Sequence, residues 1–74
     1  GHSLSFGSAD AVVILAPRAA LADAVATAAA NLVRDAADLE RAVNFATGIP
    51  GVVGAVAIKG DRLAARGNVK LVPV

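Results

Sequence analysis

Within the alanine-rich stretch Leu21-Ala22-Asp23-Ala24-Val25-Ala26-Thr27, a carboxylate and a hydroxyl stand four residues apart. Residues at that spacing lie one turn above each other on the same helix face. Asp23 offers a charged hard oxygen and Thr27 a neutral one, the donor type that a Mg²⁺-class cation takes. Such a pair fills only part of a coordination shell. Backbone carbonyls, water or a ligand's phosphates must supply the rest. The competing reading is an amphipathic helix that turns two polar residues to water. Against it, this helix face sets Asp23, Thr27 and Asn31 among alanines rather than Lys and Glu, and Asp and Thr are mediocre helix formers. Asp23 and Thr27 are the candidate metal ligands, and both readings stand at this point.

The opening segment Gly1-His2-Ser3-Leu4-Ser5-Phe6-Gly7-Ser8 is the second place where chemistry is conceivable. Its backbone N–H groups, hydroxyls and imidazole could meet a phosphate or carboxylate, although it completes no phosphate-loop pattern. His2, Ser3 and Ser5 are its candidate cofactor-binding residues. A serine nucleophile here would need a base and an orienting group that the chain does not identify. Elsewhere, Asp35, Asp38, Glu40 and Arg41 are explained by helix capping and solvation. Lys59, Asp61 and Arg62 are explained by a hairpin turn.

The elements that must position these residues follow from periodicity. Residues 1–10 read as a loop or an irregular edge segment. Residues 11–16, Ala-Val-Val-Ile-Leu-Ala, do not alternate and read as a strand buried on both faces. From Pro17 the pattern becomes helical over 17–34, with Leu21, Val25, Ala28 and Leu32 on one stripe and Asp23, Thr27, Asn31 and Arg34 opposite. Asp35 caps a second helix over 36–47, with Asp38 as the capping-box acid and Leu39, Val43 and Ala46 inward. Gly48 and Pro50 stop it. Strands follow at 52–58, 62–66 and 69–73, separated by turns at Lys59-Gly60-Asp61 and Gly67-Asn68. The expected fold is α+β: two helices on a mostly antiparallel sheet, in the order β-α-α-β-β(-β).

Composition bounds what such a unit can be. Seventy-four residues form one small unit with a marginal core. The chain is 57% hydrophobic but only 3% aromatic, so its apolar content is mostly Ala and Val, which bury little area each. A mean hydropathy of +0.67 is high for a free-standing unit of this size. The expectation is therefore a piece of a larger fold, packed against the upstream part of the same protein or a separate chain carrying it, and prone to form homo-oligomers. Arg18, Asp23, Arg34, Asp35 and Asp38 interrupt every apolar run, which argues against a membrane span and favours a cytoplasmic setting. Zero Cys removes disulfide and thiolate chemistry. A formal charge of +1 without a basic cluster or stacking aromatics argues against nucleic acid.

Val12-Val13-Ile14-Leu15-Ala16-Pro17 followed by Ala22-Asp23-Ala24-Val25-Ala26-Thr27-Ala28 resembles the C-terminal part of the ApbE-like flavin transferase superfamily. The Gly1-to-Gly7 stretch, of the form Gly-x-Ser-x-Ser-x-Gly, and the run from Ile49 to Ile58 are similar to its uncharacterised branch. The resemblance implies that Asp23 and Thr27 ligate Mg²⁺ on the diphosphate of FAD, while the family's flavin-binding and remaining metal-ligand segments lie upstream of these residues. It further implies FMN transfer or FAD hydrolysis once an upstream part completes the site. The fragment alone would not be a complete enzyme. The alternative is a non-catalytic scaffold of the same fold that binds a ligand or oligomerises.

Overall fold

The computed structural model describes residues 2–5 and 10–68 of the chain. It shows an α+β fold in which two helices lie on one face of an antiparallel sheet. The strands are β1 (His2–Ser5), β2 (Ala11–Leu15), β3 (Gly54–Lys59) and β4 (Arg62–Gly67), hydrogen-bonded in that order. Between β2 and β3 come α1 (Ala19–Leu32) and α2 (Leu39–Thr47), the latter entered through a short 3₁₀ turn, Ala36–Asp38. Helix α1 packs over β1 and β2, and α2 over β3 and β4.

From Ala11 to Gly67 the expected order of elements holds. Ahead of it, where the sequence reads as a loop or an irregular edge segment, His2–Ser5 is a regular edge strand that pairs antiparallel with β2, His2 opposite Leu15 and Ser5 opposite Val12. Its serines and glycines hide a strand because local propensity is weak and pairing with β2 supplies the order. The expected strand at 69–73 lies outside the described residues.

Local chemistry explains the boundaries. Pro17, expected in the opening turn of the helix, lies ahead of it: Arg18 is the N-cap residue, extended at φ −102° and ψ 121°, and α1 begins after it. The second helix starts as read from sequence: the Asp35 carboxylate accepts from the Ala37 N–H at 2.9 Å, and Asp38 closes a capping box. Gly60 opens the two-residue β3–β4 turn with φ +61°, which suits a primed hairpin turn. Gly67 carries φ +85°, and a Cβ there would stand 2.6 Å from the Val53 carbonyl oxygen. Only glycine fits that approach.

The core lies between the helices and one face of the sheet. Cross-strand rows Val12–Ala57–Ala64 and Ile14–Ala55 face the helices and are buried. Ile14, Val12 and Val33 are the largest fully buried side chains, and alanines make up most of the remainder. Because each buried methylene-sized group contributes only about 0.8 kcal/mol, this core yields little per residue. It gains instead from close approach of backbones.

Two expectations change here. The buried stripe of α1 is Ala22, Val25, Ala26, Ala29 and Ala30, whereas Ala28 is exposed and Leu21 and Leu32 are half-buried. Alanines face the sheet because only small side chains let the helix sit close, so the leucines flank the contact. Strand β2, expected to be buried on both faces, alternates instead: Val12 and Ile14 are buried, while Ala11, Val13 and Leu15 are half-covered. No helix of the described residues is long and apolar enough to cross a membrane.

Candidate functional site

Asp23 and Thr27 stand one turn apart on the outward side of α1, both exposed, with Ala24 and Ala28 exposed beside them. The Thr27 hydroxyl donates its proton to the Asp23 carbonyl oxygen at 3.1 Å. A threonine within a helix commonly bonds back in this way. The consequence for chemistry is that Oγ1 of Thr27 spends its proton inside the helix and keeps lone pairs outward. The Asp23 carboxylate is the hard anionic donor of the pair. Small neighbours leave room for a bulky ligand to reach both.

Helix α1 also opens with no side-chain cap and no acid in its first turn. Its first-turn N–H groups and the positive end of its dipole are thus suited to an anion. Asp23 sits about 6 Å further along the axis at a rise of about 1.5 Å per residue. The donors present fit a divalent cation in type but fill only two positions. Among the described residues, no group of three or more His, Cys, Asp or Glu gathers to hold a metal.

His2, Ser3 and Ser5 lie on β1, paired with Leu15, Ile14 and Val12. That strand lies under α1, whereas Asp23 and Thr27 look away from the sheet. The structure thus brings the two metal candidates together and sets the cofactor candidates in the sheet layer.

The Asp38 carboxyl is held below the usual carboxylate range. The main cause is the Arg34 N–H, 3.0 Å from Oδ2, helped by the Asp35 N–H and the charges of Arg41 and Arg34, against a smaller desolvation effect. It is a capping group, as its spacing indicates.

Two features escape the sequence. Asp10 donates its N–H to the Ile58 carbonyl at 2.9 Å, and its carboxylate accepts from the Gly60 N–H, clipping the β3–β4 turn from fifty residues away. No local pattern could announce a partner so distant. At the other end of the sheet, Asn44, Thr47, Gly48, Arg66 and Gly67 line an open polar depression beside the end of α2. The Thr47 hydroxyl donates to the Val43 carbonyl at 2.8 Å, and Arg66 suits the negative end of the helix dipole. Those residues come together only because β4 passes α2.

The family described as AbpE bacteria matches residues 1–64. The UPF0280 protein of Methanocella arvoryzae is 46% identical over 68 residues, covering 92% of this chain and 28% of that protein. UPF0280 protein MK0206 of Methanopyrus kandleri is 46% identical over 73 residues, covering 92% and 30%. The UPF0280 protein of Archaeoglobus fulgidus is 42% identical over 72 residues, covering 92% and 31%. This chain therefore spans less than a third of the length of these curated relatives. No solved structure matches it.

These findings overturn the resemblance to the ApbE-like flavin transferases. The matching family is a different one, and none of the three relatives is named for a flavin or a transferase. The residues that carried the resemblance also have packing roles: Val12, Ile14 and Ala16 are core, and Ala22 and Ala26, which precede Asp23 and Thr27, are buried with them. A match over residues 1–64 covers most of the molecule, and the chain belongs to the AbpE bacteria family.

Proposed function

We propose that the chain contributes part of a Mg²⁺-dependent site for a diphosphate-bearing ligand, completed by polypeptide outside these 74 residues. The observation that carries this reading is the Asp23–Thr27 pair. Two oxygen donors project from one exposed face among alanines, with the Thr27 proton turned inward. Asp23 would supply the anionic ligand and Thr27 the neutral one, while the uncapped start of α1 would face a phosphate oxygen. A bound Mg²⁺ would polarise and orient the diphosphate. The flavin-specific and transferase parts of the sequence expectation rested on the resemblance and are not carried further. The alternative is a scaffold that binds a ligand or assembles without chemistry.

The test is ADP and FAD binding, with Mg²⁺ or with chelator, by a family-length protein containing this chain. Mg²⁺-dependent binding of either nucleotide that Asp23→Ala abolishes and Thr27→Ala weakens by about tenfold (about 1.4 kcal/mol) supports the reading. Binding indifferent to chelator and to Asp23→Ala contradicts it and leaves the scaffold.

A further inference from the structure

The side of the sheet away from the helices carries only apolar residues in β2, β3 and β4. Its cross-strand rows are Ala11–Ile58–Leu63, Val13–Val56–Ala65 and Leu15–Gly54–Gly67. Every charged residue of these three strands, Lys59, Arg62 and Arg66, belongs to the alternate positions, in register with the helix side. Exposure of this face rises toward β4: Val56 is 8% exposed and Val13 and Ile58 are half-covered, whereas Leu63 is 50% exposed and Ala65 beside it is exposed as well. An antiparallel sheet with one solvated face normally alternates apolar and polar residues. This one does not.

A transient docking patch carries polar groups at its rim, whereas a surface that is permanently covered resembles a core cut in half. The three rows are of the second kind. We infer that this face is an internal surface of the family-length fold, seated on the polypeptide that makes up the rest of its length. Relative size selects that occupant over a second copy. The relatives carry more than twice this chain's length beyond the matched part, enough for a complete further layer, while this chain matches 28–31% of them. The inference is independent of the Asp23–Thr27 reading, because that pair lies on the opposite side of the helix layer.

The absence of native cysteine makes the test direct. This chain replaces its matching 68-residue segment in the Methanocella arvoryzae relative. Maleimide labelling, read by mass spectrometry on the relevant peptide, then compares Leu63→Cys and Ala65→Cys in that hybrid and in the 74-residue chain. Ala37→Cys, on the exposed 3₁₀ turn, is the open control, and Ala57→Cys, at 0% exposure under the helices, is the closed one. The expected result is rapid labelling of Leu63→Cys and Ala65→Cys in the isolated chain, slowed roughly a hundredfold or more in the hybrid. Labelling in the hybrid as fast as at Ala37→Cys, with Ala57→Cys protected, overturns the inference. Sedimentation of the isolated chain is a second arm that needs no hybrid. A dimer dissolved by Leu63→Lys makes a second copy the occupant and likewise overturns it, while a monomer supports it.

Discussion

The two faces of this sheet are built from similar amounts of apolar side chain, yet among the described residues one is closed and the other only partly covered. On the helix side, Val12, Ile14, Ala55 and Ala57 fall to 1% exposure or less. On the other side, Val56 at the centre falls to 8%, but Val13 and Ile58 remain half-covered and Leu63 is half-exposed. What differs is not the residue type: among the described residues, only one face carries a layer of helices. Hydrophobic free energy follows area removed from water, so the same substitution has a large effect on one face and a small one on the other. That asymmetry is measurable in the isolated chain.

The largest effect belongs to Ile14→Ala. Truncating a fully buried isoleucine costs about 2–5 kcal/mol, a large share of the stability of a unit this small. Val13→Ala, the next residue but on the bare face, costs less than about 1 kcal/mol by area alone. Urea denaturation of the two variants gives the contrast, and equal losses would break it.

Next comes Gly67→Ala, which strains a positive φ and drives a Cβ into the Val53 carbonyl, at about 2–3 kcal/mol. Gly60→Ala has a positive φ but open space around it, so its loss is smaller, about 1 kcal/mol. Denaturant midpoints should rank the two in that order.

Asp10→Ala removes the clip on the β3–β4 turn. Its expected cost is about 1 kcal/mol or less at this exposed site. Amide exchange of Gly60 should accelerate, while that of the α1 core amides stays unchanged.

The smallest effect is the acid response of Asp38. Its folded pKa is depressed, so its contribution is fully present above the unfolded carboxylate pKa. It is lost as pH falls through the lower folded value, below about pH 4. Thermal melts should show Asp38→Asn losing less stability than the parent between about pH 4 and about pH 2. An identical acid response would remove the carboxylate from the cap.

The helix-side architecture was legible in the sequence where local signals speak. The Asp35–Asp38 capping box, Gly48 and the Gly60 turn each act within a few residues, and the elements they bound are in place, whereas Pro17 lies just ahead of α1 rather than in its first turn. Strand β1 was not legible, because Ser3 and Ser5 have no intrinsic drive to extend and follow β2. The inner face of α1 was misjudged by about one residue, since alanine is nearly neutral in any pattern and only contact with the sheet decides which methyls go inside. Asp23 and Thr27 were legible as a pair on one face, because that needs only helical spacing. The Asp10 clip and the polar depression at Arg66 depend on pairings across the fold, which no single window contains. The unalternating run 11–16 read as a strand covered on both sides. In the structure β2 alternates instead, because only its helix-facing residues are fully buried.

Two neighbouring alanines of β4 test directly whether the face away from the helices is covered in the family-length protein. Ala64 is 9% exposed under the helices, and Ala65 looks out from the bare face. In the isolated chain, Ala64→Lys should cost about 3 kcal/mol or more, while Ala65→Lys should stay within about 0.5 kcal/mol of the parent. In the family-length hybrid the account predicts that Ala65→Lys becomes destabilising by more than about 2 kcal/mol. If Ala65→Lys is as harmless there as in the isolated chain, nothing covers that face and the account is wrong.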